Sequence, residues 1–458
     1  MPTATIPENA YLAGNFGPVD REVTAFDLRV EGRIPVELEG RYLRNGPNPA
    51  VAPDPASYHW FTGDGMVHGI RLRGGKAEWY RNRWVRSQRL ALERGEEPPA
   101  GPVNGGMNGG PNTNVGGFAG RTWAMVEAGA FPTELTYELD TVAANDFFGT
   151  LPGAFSAHPK YDPATGELHA MTYSWGQWLD HVQYVVVGRD GKVTKTLDIP
   201  LPGMTMLHDM GLTPNWALVL DQPVLVDLDL AFAGRFPFRW NDDYQGRVGL
   251  LPRTATSATD IVWCDISPCY TFHPLNSFET ADGLVVMDTI RHERMFRSDI
   301  LGPSEATGTL ERWTFDPVTG RSKEERITDR RQEFPRHDPR VGLHEHRYGY
   351  GAAIGDGFIE GDILKTDVTT GVVEEHRVGD TGHAMEPVFV PREGSTAEDD
   401  GWLLAVVHDD ATNASHLRII DAQRMGEPPA AVVHLPQRVP YGFHGNWVPD
   451  SSVPPPAA

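Results

Sequence analysis

The chain has 458 residues, and its 62 acidic against 40 basic side chains give a net charge of −22 at pH 7. A field of that sign repels a phosphate backbone, which argues against nucleic acid as a partner, and disfavours anionic lipid except at a local apolar or basic patch. Hydrophobic residues make up 40%, and the 49 Gly and 38 Pro are spread along the chain, as expected of a large folded core with many tight turns.

The N-terminal stretch Met1–Val23 shows no basic region followed by an apolar one, and no run approaches the ~20 apolar residues of a membrane span. A cytoplasmic location is therefore expected, in which the sequon at Asn413 is idle and Cys264 and Cys269 are reduced thiols. Closed all-β architectures can exceed the usual ~100–200 residues per domain, so one domain over residues 1–458 is expected.

Short apolar runs bounded by turn signals dominate the pattern. Leu135–Leu139, Tyr184–Val187, Trp216–Leu220, Gly283–Met287 and Trp402–Val407 read as strands. Gly74-Gly75, Asp190-Gly191, Asp282-Gly283 and Asp356-Gly357 read as hairpin turns. A D-x-x-T-G turn recurs at Asp162–Gly166, Asp316–Gly320 and Asp367–Gly371. Helical periodicity is nearly absent, with short candidates only near Thr133–Leu135 and Leu228–Ala233. Such a chain must hide its strand edges. Four-stranded blades of roughly 40–65 residues do so, and seven would consume the chain. On pattern alone a propeller and a large sandwich or barrel pair stay equally compatible.

Most of the 17 histidines need no special explanation. His344 and His346 would face one way on a strand, which suits a metal, but they read more simply as a hydrogen-bonded pair on a half-buried strand. His59 and His68 flank a glycine-rich turn and are expected to fix its backbone. Gly105–Gly117 lacks the lysine of a phosphate loop, and no HExxH, G-x-S-x-G or nicotinamide fingerprint occurs. Four histidines lie in compact turn-rich clusters: Ser156–Lys160 around His158, Leu207–Met210 around His208, Phe272–Asn276 around His273 and Gly442–Trp447 around His444. The first two intervals are about one blade long and the last about three, so the four could converge on one axis, although 17 histidines offer many such quartets.

These clusters resemble the ligand motifs of the carotenoid cleavage oxygenases. The resemblance runs in order through Gly40–Pro49, His59–His68, Asn112–Val115, the four histidines, Glu333–Arg336, His346–Tyr348 and Asp400–Leu404, with Thr62 where many relatives carry Asp. It implies an all-β, seven-bladed propeller with a metal on the central axis and loops capping one face. It implies one Fe(II) per chain held by His158, His208, His273 and His444. Glu127, Glu333 and Glu386 would accept from the outer ring N–H of His208, His273 and His444 respectively, leaving His158 without a carboxylate. The reaction implied is cleavage of a carbon–carbon double bond by O₂ to two carbonyl products, with no external reductant.

A carotenoid or apocarotenoid is the expected substrate. Stilbene-cleaving relatives place a Lys where this chain has Val126, and Pro99–Pro111 lacks their tyrosine. A hydroxystilbene remains the alternative on the same iron. Isomerohydrolase chemistry without O₂ is disfavoured by the lack of an anchoring segment. A non-catalytic binding propeller is disfavoured by the cost of burying so many polar groups without a metal. Leu228–Trp240, rich in Leu, Phe and Trp beside Arg235 and Arg239, is either an apolar rim that meets a membrane or ordinary core.

Overall fold

Two kinds of turn set the architecture. Gly74-Gly75 takes left-handed backbone angles at both positions to join the strands Gly65–Arg73 and Lys76–Trp84. Gly191 and Gly283 do the same for His181–Val187 with Val193–Pro200 and for Pro274–Glu279 with Val285–Arg291. Each D-x-x-T-G turn closes alike, with the Gly N–H donating to the Asp carbonyl at 2.8, 2.9 and 2.8 Å in chain order. The Asp carboxylate caps the turn through the N–H two residues on. The computed structural model describes residues 9–103, 110–303, 305, 308–355 and 361–456, so the Asp356-Gly357 turn and residues 105–109 of the Gly105–Gly117 stretch lie outside the described residues.

The antiparallel sheets form seven blades, numbered here in chain order. Blade 1 sets the near-C-terminal strand Gly445–Pro449 against Gly40–Pro47, followed by Gly65–Arg73, Lys76–Trp84 and Thr24–Phe26. Blade 2 runs from Asn114–Phe118 to Thr141–Ala144, blade 3 from Lys160–Asp162 to Val193–Pro200, and blade 4 from Gly211–Leu212 to Val262–Asp265. Blade 5 begins at Pro274–Glu279. The 15-residue strand Ser322–Arg336 closes it and, at Gln332–Arg336, opens blade 6 against Tyr348–Ala353. In blade 7, Gly382–Ala384 and Val388–Pro391 both pair with Gly401–Asp409, and Val30–Gly32 adds the outermost strand. The two ends of the chain therefore meet in blades 1 and 7. Radial repetition of such blades leaves only short, protected strand edges.

Three expectations need correction. Thr133–Leu135 is a strand of blade 2, because pairing with Arg121–Met125 satisfies backbone groups that a three-residue helix would leave open. Of Leu135–Leu139 only Leu135 is in that strand, since the chain turns at Thr136–Asp140 with Leu139 in the left-handed region. His344 and His346 lie in the turn before Tyr348–Ala353 rather than on a strand. The helical reading of Leu228–Ala233 corresponds to a helix at Leu228–Phe232, capped by Asp227. That helix and the ribbon Val224–Val226/Phe238–Trp240 form an insertion within blade 4.

Candidate metal centre and its cavity

Each of the four motif histidines stands just before the first strand of a blade: His158 before Lys160–Asp162, His208 before Gly211–Leu212, His273 before Pro274–Glu279 and His444 before Gly445–Pro449. Blades 3, 4, 5 and 1 thus direct one imidazole each to a common point, where their ligand atoms all lie within 4.8 Å of one another. The other three blades supply the carboxylates. Glu127 follows Arg121–Met125 of blade 2, Glu333 lies on the first strand of blade 6, and Glu386 sits in the break between Gly382–Ala384 and Val388–Pro391 of blade 7. Every blade contributes one residue.

His208 Nδ1 faces Glu127 Oε1 at 2.8 Å, His273 Nδ1 faces Glu333 Oε2 at 2.6 Å, and His444 Nδ1 faces Glu386 Oε1 at 2.8 Å. An ionised carboxylate only accepts, so Nδ1 is the protonated nitrogen in all three rings and the inward Nε2 carries the lone pair. His208 Nε2 and His273 Nε2 then face each other at 3.2 Å. Two lone pairs at that distance need a proton or a cation between them. His158 Nε2 is buried with no hydrogen-bond partner among the described residues. Imidazole nitrogens arranged this way fit a divalent transition metal.

Electrostatics agree with that division of roles at His158, His444, Glu333 and Glu386 and run the other way at His208. Burial, followed by the neighbouring histidines, holds His158 well below the usual imidazole range. Burial likewise pushes His444 down to about 3 against the pull of Glu386. Burial acts on His208 in the same sense but is outweighed by Glu127, and the group is raised. Burial would raise Glu386, yet Arg336 and His444 bring it down to about 2. Glu333 is held well below the carboxylate range, with burial outweighed by His273 and His292.

A cavity of about 870 Å³ ends on Glu127, His208, His273 and His444. Phe61, Val126, Trp175, Phe236, Phe272 and Phe443 are among its apolar walls, and Tyr173 stands beside Glu127. Exposed Val51, Arg89 and Glu93 line its outer end, where Arg89 bonds both Asp64 and Glu93. Phe236 and Phe238 bring the blade 4 insertion into the wall, whereas Phe232 is 86% exposed. His59 is buried, caps the turn at Trp60–Thr62 and stacks on Phe236 with centroids 3.8 Å apart. His68 instead bonds Tyr80, and His346 contacts Asp288 at 3.2 Å.

Sequence reasoning missed four neighbours of this centre. His292 Nε2 donates to Glu333 Oε1 at 2.9 Å, and Arg336 reaches Glu386, the Gly445 carbonyl and Asn446 Oδ1. Asp209 and Tyr173 complete the group. Asp209 and Arg336 stood inside quoted motifs without a role, and nothing local marks His292 or Tyr173.

The sequence matches the family described as retinal pigment epithelial membrane protein over residues 16–449. It is 43% identical to a Mycobacterium tuberculosis protein named carotenoid cleavage oxygenase, across 98% of this chain and 100% of that one. The structure of Pseudomonas brassicacearum lignostilbene dioxygenase superposes with a TM-score of 0.88 at 28% identity, covering 98% of this chain and 100% of the other. Cobalt-substituted Synechocystis ACO, an apocarotenoid oxygenase, gives 0.84 at 27% identity, covering 94% and 97%.

Proposed function

Because the chain belongs to the retinal pigment epithelial membrane protein family, which includes the carotenoid cleavage oxygenases, we propose that it is an Fe(II) dioxygenase that cleaves a double bond of a carotenoid or apocarotenoid. The observation that carries the reading is the convergence of four imidazoles, three of them backed by carboxylates, at the inner end of an aromatic-lined cavity. His158, His208, His273 and His444 would hold one Fe(II) per chain. Bound there, the iron would supply O₂ activation, with both oxygen atoms ending in the two aldehyde products.

The chain's own residues do the rest. Glu127, Glu333 and Glu386 fix the tautomer and tilt of three rings so that the lone pairs converge. Phe61, Phe236, Phe272 and Phe443 desolvate a polyene and hold one double bond beside the metal while excluding water. Val126 offers this stretch of the wall an apolar surface, which suits a substrate without a hydroxyl near the scissile bond.

A hydroxystilbene is the second reading, favoured by the likeness to lignostilbene dioxygenase and by the phenol of Tyr173 in the cavity. No helix among the described residues is long and apolar enough to cross a membrane. We place the enzyme in the cytoplasm, drawing its substrate from a membrane through the Leu228–Trp240 insertion.

The deciding experiment is aerobic incubation of iron-loaded protein with carotenoids, apocarotenals and hydroxystilbenes, followed by identification of the aldehydes. Cleavage confined to polyenes supports the first reading. Cleavage confined to hydroxystilbenes replaces it with the second.

A further inference from the structure

Three of the four imidazoles have an obvious carboxylate partner, and His158 does not. Its Nδ1 lies 3.9 Å from Asp209 Oδ2, with both side chains almost fully buried. That separation is too long for a hydrogen bond. Asp209 is nevertheless firmly placed, because its Oδ2 takes the Lys160 ammonium at 2.8 Å and its Oδ1 accepts the Met210 N–H at 2.6 Å. The arrangement follows from the sequence. Asp209 is the residue after His208, and Lys160 is two residues after His158. The ion pair therefore ties the ligand-bearing turn of blade 3 to that of blade 4.

We propose that Asp209 is the carboxylate that orients His158, held at its distance by Lys160. This rests on the metal-binding reading above. An anion on the Nδ1 side favours the proton at Nδ1 and leaves the Nε2 lone pair for the metal, which is what the glutamates do for the other three rings. Lys160 shares the carboxylate and keeps it from closing to hydrogen-bond range. His158 is thus the least tightly oriented of the four ligands, and Asp209 is its positioning residue.

The test uses the full chain loaded with Co(II), whose visible ligand-field bands report ligand geometry independently of turnover. D209N should weaken Co(II) binding by about tenfold, the low end of what loss of a residue behind a ligand costs, and should shift the bands. A simple tie between blades predicts instead that D209N and K160M lower the melting temperature alike and leave the bands untouched, which would overturn the proposal. Should D209N not fold, K160M decides. Freeing the carboxylate to approach Nδ1 shifts the bands if Asp209 orients His158, and unchanged bands overturn it. His273→Ala is the control for the underlying reading. Wild-type Co(II) affinity in that variant removes the metal centre itself, whereas normal loss there with a silent D209N removes only the role of Asp209.

Discussion

Glu333 accepts from His292 through Oε1 at 2.9 Å and from His273 through Oε2 at 2.6 Å, so neither oxygen is free to turn. The Phe334 N–H adds a third donor. Glu386 is similarly engaged by His444, the Gly445 N–H and Arg336. Glu127 differs: its Oε1 meets His208, while Oε2 is buried without a hydrogen-bond partner among the described residues. The three carboxylates therefore hold their imidazoles with unequal firmness. Glu→Gln at 333 or 386 should lower metal affinity or activity towards the upper end of ~10–100-fold, and Glu127→Gln towards the lower end. Equal losses at all three, read by Co(II) titration and steady-state rates, would contradict this order.

The metal prediction is harsher. Removing one ring of His158, His208, His273 or His444 leaves three donors and exposes the facing lone pairs of the rest. Each His→Ala variant should purify with little iron and no turnover. Stoichiometric iron in His273→Ala, measured by elemental analysis, would be decisive against the assignment.

Acid should destabilise the protein through histidines away from the metal. Burial pushes His59, His68 and His169 each down to about 3, with Arg44 adding to the effect on His68 and Arg253 on His169. Tyr80 and Tyr184 reach the Nδ1 of His68 and His169 at 2.8 and 2.7 Å. These rings are neutral when folded and take up protons near pH 6.5 when unfolded, so the unfolded state binds more protons between those values. Their contribution to stability is full above pH about 6.5 and is lost as the pH falls towards about 3. His208 works in the opposite sense, as one group against these three. The melting temperature should drop from about pH 7 to about pH 5, above the range where Glu333 and Glu386 take up protons. A flat profile across that interval would show that the buried rings titrate normally.

The sequence carried the blade-forming logic because turn chemistry is local: Asp and Gly at fixed offsets force the same closure wherever they occur. It carried the four histidines only with the help of neighbouring residues, since spacing alone could not choose them from 17. His292 and Tyr173 were out of reach for a physical reason. Each meets its glutamate through tertiary packing across some 40 residues or more, and no local pattern encodes that. Thr133–Leu135 was misread because three residues carry no usable period, and pairing with Arg121–Met125 decided its conformation.

The blade 4 insertion divides into an outer and an inner part. Phe232 is 86% exposed on the helix Leu228–Phe232, beside exposed Arg235 and Arg239, while Phe236 and Phe238 are buried at the cavity. Burying one phenylalanine in an acyl layer is worth about 1.5–3 kcal/mol, enough to tune a reversible surface contact. Phe232→Ser should weaken binding to phosphatidylcholine vesicles by about tenfold or more with an unchanged melting temperature. Phe236→Ser should instead lower the melting temperature and impair cleavage. Vesicle flotation that is indifferent to Phe232→Ser would remove the membrane role from this segment.

The last prediction separates the two substrate classes. Val126 lines the cavity next to Glu127 and can donate no hydrogen bond, and only part of the Pro99–Pro111 loop, which lacks tyrosine, falls within the described residues. The cavity is not without donors, however. Tyr173 lies at the end of Glu167–Thr172 in blade 3, and burial together with the charge of Glu127 holds its phenol well above the usual range, so it stays protonated. That hydroxyl could serve a stilbene phenol in place of the missing lysine. A polyene carries no polar group near its scissile bond and gains nothing from it. Tyr173→Phe keeps the ring and removes only the hydroxyl. Because the hydroxyl also bonds Glu127, a carotenoid substrate should show only the loss that reaches the centre through that glutamate, no larger than the loss in Glu127→Gln. For a hydroxystilbene, whose buried hydroxyl would lose its partner, the cost should be about 1–3 kcal/mol, or roughly 5- to 150-fold in kcat/KM. A loss of that size on the best substrate, abolished when a methoxy group replaces the substrate hydroxyl, would reassign the enzyme to stilbenes while leaving the four-histidine centre in place.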